Sequence, residues 1–330
     1  MRAILSTDPG EPDTLTIEEI ADPTAGPGQV VVDVKAVSVN FPDVLIIQDL
    51  YQVKPPRPFS PGCELAGVIS EVGDDVHGFS VGDRVLAAPG HGAMVERIAL
   101  DASACQPIPD EMPFDEAASF LLTYGTSHHA LKNRANVTAG ESLFVLGAAG
   151  GVGLAAVQLG KAMGLRVIAG CSSQDKVDLC LDQGADAGIV YPRQPLDRDQ
   201  QKALSNQIKE ATGGGVDVVY DAVGGDYTEP SVRALNWEGR FLVVGFPAGI
   251  PKLPLNLTLL KSCDVVGVFW GAFTMMQPKQ HAENISELFA MYADGAIKPF
   301  ITDRYSLDEA PTAIRQLMER RAKGKVVVLL

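Results

Sequence analysis

Between about Thr123 and Gly271 the chain alternates two textures. Short apolar runs, Leu143–Leu146, Arg166–Gly170, Gly188–Tyr191, Val216–Asp221 and Arg240–Gly245, are separated by stretches with helical spacing, among them Asp175–Gln183 and Gln200–Ala211. Apolar runs this short read as strands buried on both faces. Strands that alternate with helices imply a parallel sheet covered on both sides. One more apolar strand, Asp264–Trp270, follows the last of these.

Before Leu122 the pattern is different. Val30–Val39 reads as a strand after Gly28-Gln29, Leu65–Val72 as another closed by Gly73-Asp74-Asp75, and Gly82-Asp83-Arg84 introduces Val85–Ala88. Many of the 22 prolines fall here. Short strands punctuated by Gly, Pro and Asp predict a small barrel-like β domain. From His281 onward come a helix, a strand near Ile301–Tyr305, a helix over Asp308–Arg320 and a closing strand, Lys325–Leu330. The expected division is therefore a cofactor domain over residues 123–273 and a discontinuous first domain made of residues 1–122 and 274–330. No internal repeat or low-complexity segment is visible.

The stretch Ser142–Gly164 carries the sharpest chemistry. Its apolar run meets Gly147, Gly150 and Gly153, spaced by three, and then an Ala-rich helical pattern. This is the strand–turn–helix opening of a dinucleotide-binding unit, where a side chain would push a diphosphate away from the backbone amides. The helix also points its partly positive N-terminus at the same place. When the adenosine ribose carries a free 2′-hydroxyl, the second strand of such a unit ends in an acid. Here Arg166–Gly170 runs instead into Cys171, Ser172 and Ser173, with Lys176 a turn later. Hydroxyls and an ammonium group hold a 2′-phosphate that a carboxylate would repel, so NADPH is favoured over NADH. Ser172 also reads as a helix N-cap, with Asp175 completing a capping box.

Composition narrows the class. The 330 residues suffice for two domains, and 46% apolar residues support a sizeable core. No apolar run is long enough to cross a bilayer, and the acidic opening lacks the apolar region of a signal peptide. Lys and Arg number 27 against 41 Asp and Glu, a net charge of −14, which argues against nucleic acid or an anionic membrane as partner. The 5 cysteines are scattered and odd in number, as suits reduced thiols in the cytoplasm.

Several segments together resemble the medium-chain dehydrogenase/reductase superfamily, in its zinc-independent, zeta-crystallin-like NADPH:quinone oxidoreductase branch. They are SVNFPDVLIIQDLY (Ser38–Tyr51), PGCELAGVISEVG (Pro61–Gly73), VGDRV (Val81–Val85), LLTYGTSHHAL (Leu121–Leu131), GAAGGVG (Gly147–Gly153) and GKVVVLL (Gly324–Leu330). The resemblance spans essentially the whole chain. It implies an α/β protein with a GroES-like β-barrel catalytic domain and a Rossmann doubly wound parallel-sheet domain. It also implies a homodimer, with Val265–Trp270 near the sheet edge that pairs across subunits.

Carried over position by position, the resemblance puts Ala149, Gly150, Gly151 and Val152 at the cofactor diphosphate. Ser172, Lys176 and Tyr191 match contacts to the adenosine phosphate. Val223, Gly245, Phe246, Val268 and Phe269 match the wall around the nicotinamide, although core packing explains the last three apolar residues equally well. Asn40 and Thr126 match groups near the nicotinamide ribose and amide. Zinc-dependent relatives place metal ligands at positions matching Asn40, Cys63 and Leu122, of which only Cys63 could ligate. A catalytic zinc needs three protein ligands, so no metal is expected. The adjacent His128 and His129 diverge on a helix, which predicts one packed and one solvated ring.

Without a metal to polarise an alcohol, the implied reaction is hydride transfer from NADPH to a quinone or an α,β-unsaturated carbonyl. Tyr51 matches a tyrosine that related enoyl-thioester reductases use to protonate the carbon beside the carbonyl, while a tyrosine lining the substrate cleft is the simpler expectation. Asp43 is a second candidate, with a structural hydrogen-bonding role equally open. Reduction of acrylyl- or enoyl-type thioesters is the nearest rival function. It would need a basic patch for the carrier's phosphates, to which Lys54 and Arg57 could contribute. A catalytically weak NADPH-binding protein is the rival from outside enzymology.

Overall fold

A computed structural model describes residues 1–330. The chain forms two compact units, Met1–Leu122 with Pro299–Leu330, and Thr123–Lys298. The strands run in chain order as follows. β1 (Arg2–Leu5), β2 (Thr16–Glu19), β3 (Gln29–Val39), β4 (Glu64–Val72), β5 (Arg84–Ala87), β6 (Arg97–Asp101) and β7 (Cys105–Pro107) lie in the first unit. β8 (Ser142–Leu146), β9 (Arg166–Cys171), β10 (Ala187–Val190), β11 (Val216–Asp221), β12 (Leu235–Val243) and β13 (Asp264–Gly267) lie in the second. β14 (Ile301–Ser306) and β15 (Lys325–Leu329) return to the first.

In the first unit the main sheet has the order β14-β15-β3-β4-β5-β7, and β6 also pairs with β3. The long β3 bends around a core that buries Val30, Val32, Val34, Val37 and Val39. Its register with β4 shifts at Val31/Val32 and again at Val34/Ala36. Such irregularities increase local twist and let a sheet curl toward a barrel. β15 runs antiparallel to β3, with Val326 opposite Val39 and Leu329 opposite Ala36, so the C-terminal strand sits inside this sheet.

The second unit is a six-stranded parallel sheet in the order β10-β9-β8-β11-β12-β13. Every residue of β8 is buried, as expected of a central strand with helices on both faces. Renumbered from β8, this is the doubly wound order whose direction of winding reverses between β8 and β11. Two expectations shift here. The chain returns to the first unit at Pro299, not at 274, because the helix Pro278–Ala293 and the turn after it are tied into the second unit. Asn284 donates to Asn133 at 2.7 Å, and Lys298 bonds Gln158 through both its amide and its carbonyl. The last edge strand stops at Gly267, and Trp270 instead opens a helix, Trp270–Met276.

No helix is long and apolar enough to cross a membrane.

Candidate functional site

Six loops leave the carboxyl ends of the parallel strands, the edge at which open α/β sheets bind ligands. The residues singled out in the second unit fall on these loops or beside them. Ala149 to Val152 follow β8, Ser172 and Lys176 follow β9, and Tyr191 follows β10. Val223 follows β11, Gly245 and Phe246 follow β12, and Val268 and Phe269 follow β13. Thr126 begins the short helix Thr126–His128.

The three glycines after β8 have three different physical reasons. Gly147 has φ +78°, a conformation costly for any side chain, and a Cβ there would lie 2.6 Å from Val223 Cγ2. Gly153 lets the helix approach the strand, since its Cβ would lie 2.2 Å from the Gly147 carbonyl oxygen. Gly150 answers to neither constraint. Its φ is −81°, and an added Cβ would meet only the Gly147 carbonyl oxygen, at an ordinary 3.5 Å. The protein's own packing would accept a side chain there, so the space over Gly150 is a cradle for something else.

Gly150 is also the N-cap of the helix Gly151–Ala162, and with no side chain it cannot satisfy the first helical amides. A diphosphate fits that need in both charge and shape. The turn is held from beneath. Ser127 donates to the Val152 carbonyl at 2.8 Å and lies 2.9 Å from the buried Tyr220 hydroxyl. Across the switch point, buried Asp221 accepts from the amides of Val223 and Gly224, at 2.8 and 2.7 Å, and from Thr228 Oγ1 at 2.9 Å. Burial raises its carboxyl above the usual range, against the pull of those three donors. Asp221 thereby fixes the loop that abuts Gly147. Sequence reading missed it because one acid at a strand end carries no spacing.

The adenosine-side expectation needs one correction. The helix after β9 starts at Gln174, with Ser173 rather than Ser172 at its N-cap and no side-chain capping bond. Ser172 is exposed and Lys176 is half-buried, one turn into the helix. Tyr191 is buried, its ring 4.7 Å from that of Tyr227. On the other side, Phe246 and Phe269 keep 43% and 61% of their surface exposed, so core packing does not account for them. Val268 is half-buried and donates its amide to the Val243 carbonyl. His128 and His129 are both buried, contrary to the packed-and-solvated expectation. A π-helical turn over Leu121–Gly125 precedes them and a second, His129–Arg134, starts at His129, on which Phe273 stacks with centroids 3.9 Å apart.

The candidates in the first unit are arranged in the opposite way. Asn40 Nδ2 donates to the Ser38 carbonyl at 3.1 Å and to Glu64 Oε1 at 2.9 Å, while its Oδ1 accepts from Lys325 Nζ at 2.7 Å. Lys325 also pairs with Glu64 at 3.2 Å, and both side chains are almost fully buried. The other Glu64 oxygen accepts from the Leu122 amide at 2.9 Å. Asp43, fully buried, accepts from the Asn40 and Gly62 amides and from the Cys63 thiol, at 2.8, 3.0 and 3.0 Å. Burial pushes its carboxyl up to about 6, despite those donors and nearby Lys325. Both Asn40 donors are therefore used within the unit, and Asp43 acts as an architectural acceptor. Tyr51 is half-buried, and desolvation followed by nearby Cys63 and Asp43 raises its phenol. Arg57 is committed to Asp49, at 2.7 Å, and to the Ile47 carbonyl. Lys54 is exposed.

A zinc does not fit this donor set. The three positions are an amide already bonded to an ammonium, a thiol bonded to Asp43, and Leu122. No group of three or more His, Cys, Asp or Glu is gathered as a metal site elsewhere.

A GroES-like sheet joined to a Rossmann sheet with this glycine turn is the architecture of a medium-chain dehydrogenase/reductase. Family models agree in both units: the alcohol dehydrogenase GroES-like domain matches residues 26–110, and the zinc-binding dehydrogenase model matches residues 151–289. Quinone oxidoreductase-like protein 2 of Mus musculus is 36% identical over 332 residues, covering 100% of this chain and 92% of its own. The quinone oxidoreductase of Rattus norvegicus is 31% identical, with 100% and 98% covered. A mycobacterial protein solved as a complex with NADPH superposes with a TM-score of 0.91 at 31% identity over the full length of both chains. The quinone oxidoreductase of Thermus thermophilus, also solved with NADPH, gives 0.86 at 32% identity over the full length of both. The chain belongs to the quinone oxidoreductase family of the medium-chain dehydrogenases/reductases.

Proposed function

We propose that this chain is a cytoplasmic, zinc-independent reductase that binds NADPH and transfers hydride to a quinone or an α,β-unsaturated carbonyl. The observation that carries the reading is the cradle over Gly150, where a side chain would fit the fold and none is present. Ala149, Gly150, Gly151 and Val152 line the diphosphate, which the helix-opening amides of Gly151 and Val152 hold while the Gly150 amide stays on the Gly147 carbonyl, and Ser172 and Lys176 take the 2′-phosphate, with Tyr191 beside the adenosine. Thr126, Val223, Gly245, Phe246, Val268 and Phe269 surround the nicotinamide and keep water from it. The dihydronicotinamide supplies the hydride, and the protein's share of the work is alignment and exclusion of water.

In the first unit, Asn40 and Asp43 hold the β3–β4 region in shape. Half-buried Tyr51 is the proton donor in this proposal for an enone, whose carbon beside the carbonyl needs a proton after hydride arrives at the far carbon. Reduction of enoyl thioesters is less favoured, because Arg57 is already paired with Asp49 and leaves only Lys54 of the expected patch. A homodimer is part of the proposal, since Val265 is exposed on the edge strand β13.

The test is an NADPH-oxidation screen over quinones, enals, enones and enoyl thioesters. Turnover greatest on quinones or enones supports the reading. Turnover greatest on thioesters transfers the chain to the rival class, and tight NADPH binding without oxidation by any acceptor makes it a binding protein.

A further inference from the structure

The cofactor reading leaves two thiols of the second unit unused. Cys171 closes β9, and Cys180 lies in the helix Gln174–Asp182 that follows. Their sulfurs are 3.7 Å apart and both side chains are buried. The other three cysteines, Cys63, Cys105 and Cys263, have no such partner, and Cys63 is bonded to Asp43. The hydrogen bond from Cys180, with help from the Lys176 ammonium, lowers the Cys171 thiol against burial and nearby Asp175, while the same hydrogen bond and burial raise Cys180. One sulfur is set up as the nucleophile and the other as the resolving group.

We propose that Cys171 and Cys180 form a redox-active dithiol, a modification site that hydrogen peroxide converts to a disulfide and that thereby weakens NADPH binding. The Cys171 thiolate attacks one peroxide oxygen, the O–O bond breaks, and a sulfenic acid forms while hydroxide leaves and is protonated to water. Cys180 then attacks the sulfenic sulfur. The S–S bond forms, the S–O bond breaks, and its oxygen leaves as a second water carrying the Cys180 proton. Two thiols lose two electrons and one peroxide gains them.

Closing the sulfurs from 3.7 Å to a bond of about 2.05 Å draws the strand end and the helix together. The segment they bracket carries Ser172 and Lys176. The effect on affinity rests on the NADPH reading above; the cross-link does not. Because both sulfurs are shielded, reaction requires the nine-residue helix to open locally, and a bound nucleotide that ties down helix and turn slows it.

The full chain is treated with hydrogen peroxide with and without NADPH, unfolded, alkylated and analysed by peptide mass spectrometry. Cys171 and Cys180 are expected to be protected together, as one cross-linked peptide that dithiothreitol releases, while Cys63, Cys105 and Cys263 alkylate. NADPH in the incubation slows the cross-link at least threefold. The KM for NADPH rises about fivefold or more on oxidation and returns on reduction. With dimedone present, Cys180→Ser cannot cross-link and accumulates an adduct at Cys171, and Cys180→Ala repeats the result should the serine disturb packing. The proposal is overturned if both sulfurs alkylate after peroxide, or if the cross-link forms and the KM for NADPH does not move. A chain that binds no NADPH sinks the cofactor reading alone, because the mass measurement decides the dithiol by itself.

Discussion

The polar cluster of the first unit and the strand-end loops of the second are opposite solutions to placing chemistry in a fold. Around Asn40, ionisable and polar groups are buried and used up on one another: Lys325 on Asn40 and Glu64, Glu64 on the Leu122 amide, Asp43 on two amides and a thiol. Around Gly150 the groups are backbone amides, small residues and half-covered aromatics, and packing leaves room over the turn. Saturation signals architecture, because a satisfied donor has nothing left for a ligand. Open space beside unspent donors signals binding. The residues with the more reactive side chains are thus the structural ones here.

The comparison breaks hardest at Lys325. Lys325→Met leaves the Glu64 carboxylate buried with its cation gone, and removing one partner of a buried pair costs about 3–5 kcal/mol. Urea unfolding followed by hydrogen exchange in the β3 and β4 peptides should show that loss. An unchanged midpoint would mean that the cluster does not hold the sheet.

Next in size is the response to acid, where the units should move in opposite directions. Burial outweighs nearby Glu287 and holds His128 down at about 4, against 6.5 when unfolded. The unfolded chain therefore binds more protons between those values, and the second unit loses about 3 kcal/mol as pH falls through that window. Asp43 is raised from 3.8 to about 6, so its contribution is complete below pH 3.8 and fades as pH climbs through 6. Exchange protection measured unit by unit from pH 4 to 7 tests both signs. His128→Gln should flatten the first trend and Asp43→Asn the second.

Smaller again is the effect at the glycine turn, where fold and ligand separate. Gly150→Ala places its Cβ 3.5 Å from the nearest protein atom, so unfolding stays within about 1 kcal/mol of the parent. NADPH affinity should fall at least tenfold, about 1.4 kcal/mol. Gly153→Ala reverses the pattern by destabilising the fold, its Cβ being only 2.2 Å from the Gly147 carbonyl oxygen. Equal losses of stability in the two variants would erase the distinction between cradle and packing contact. The mildest change is Lys176→Ala, which should weaken NADPH several-fold, leave NADH nearly untouched and preserve the melting temperature. A partly exposed ammonium facing one phosphate is worth about 1 kcal/mol.

Much of the second unit was legible from the chain alone, because its strands are unbroken apolar runs and its turn is written in glycines. The first unit was legible only as β-rich, and β1 and β2 near the N-terminus went unnoticed. Lys325 could not be singled out within GKVVVLL, nor Glu64 within PGCELAG, since nothing in either segment announces a partner some 260 positions away. The paired burial of His128 and His129 was likewise hidden, because π-helical turns shift side chains off the regular α-helical wheel.

Local periodicity and glycine placement determined the parallel sheet and the glycine turn after β8, for these depend on backbone conformation within a few residues. Tertiary structure alone decided which charges are spent, where the C-terminal strand docks, and that Cys171 and Cys180 meet. Those outcomes turn on contacts between segments whose separation along the chain carries no pattern, and on burial that sets whether a polar group is free to act.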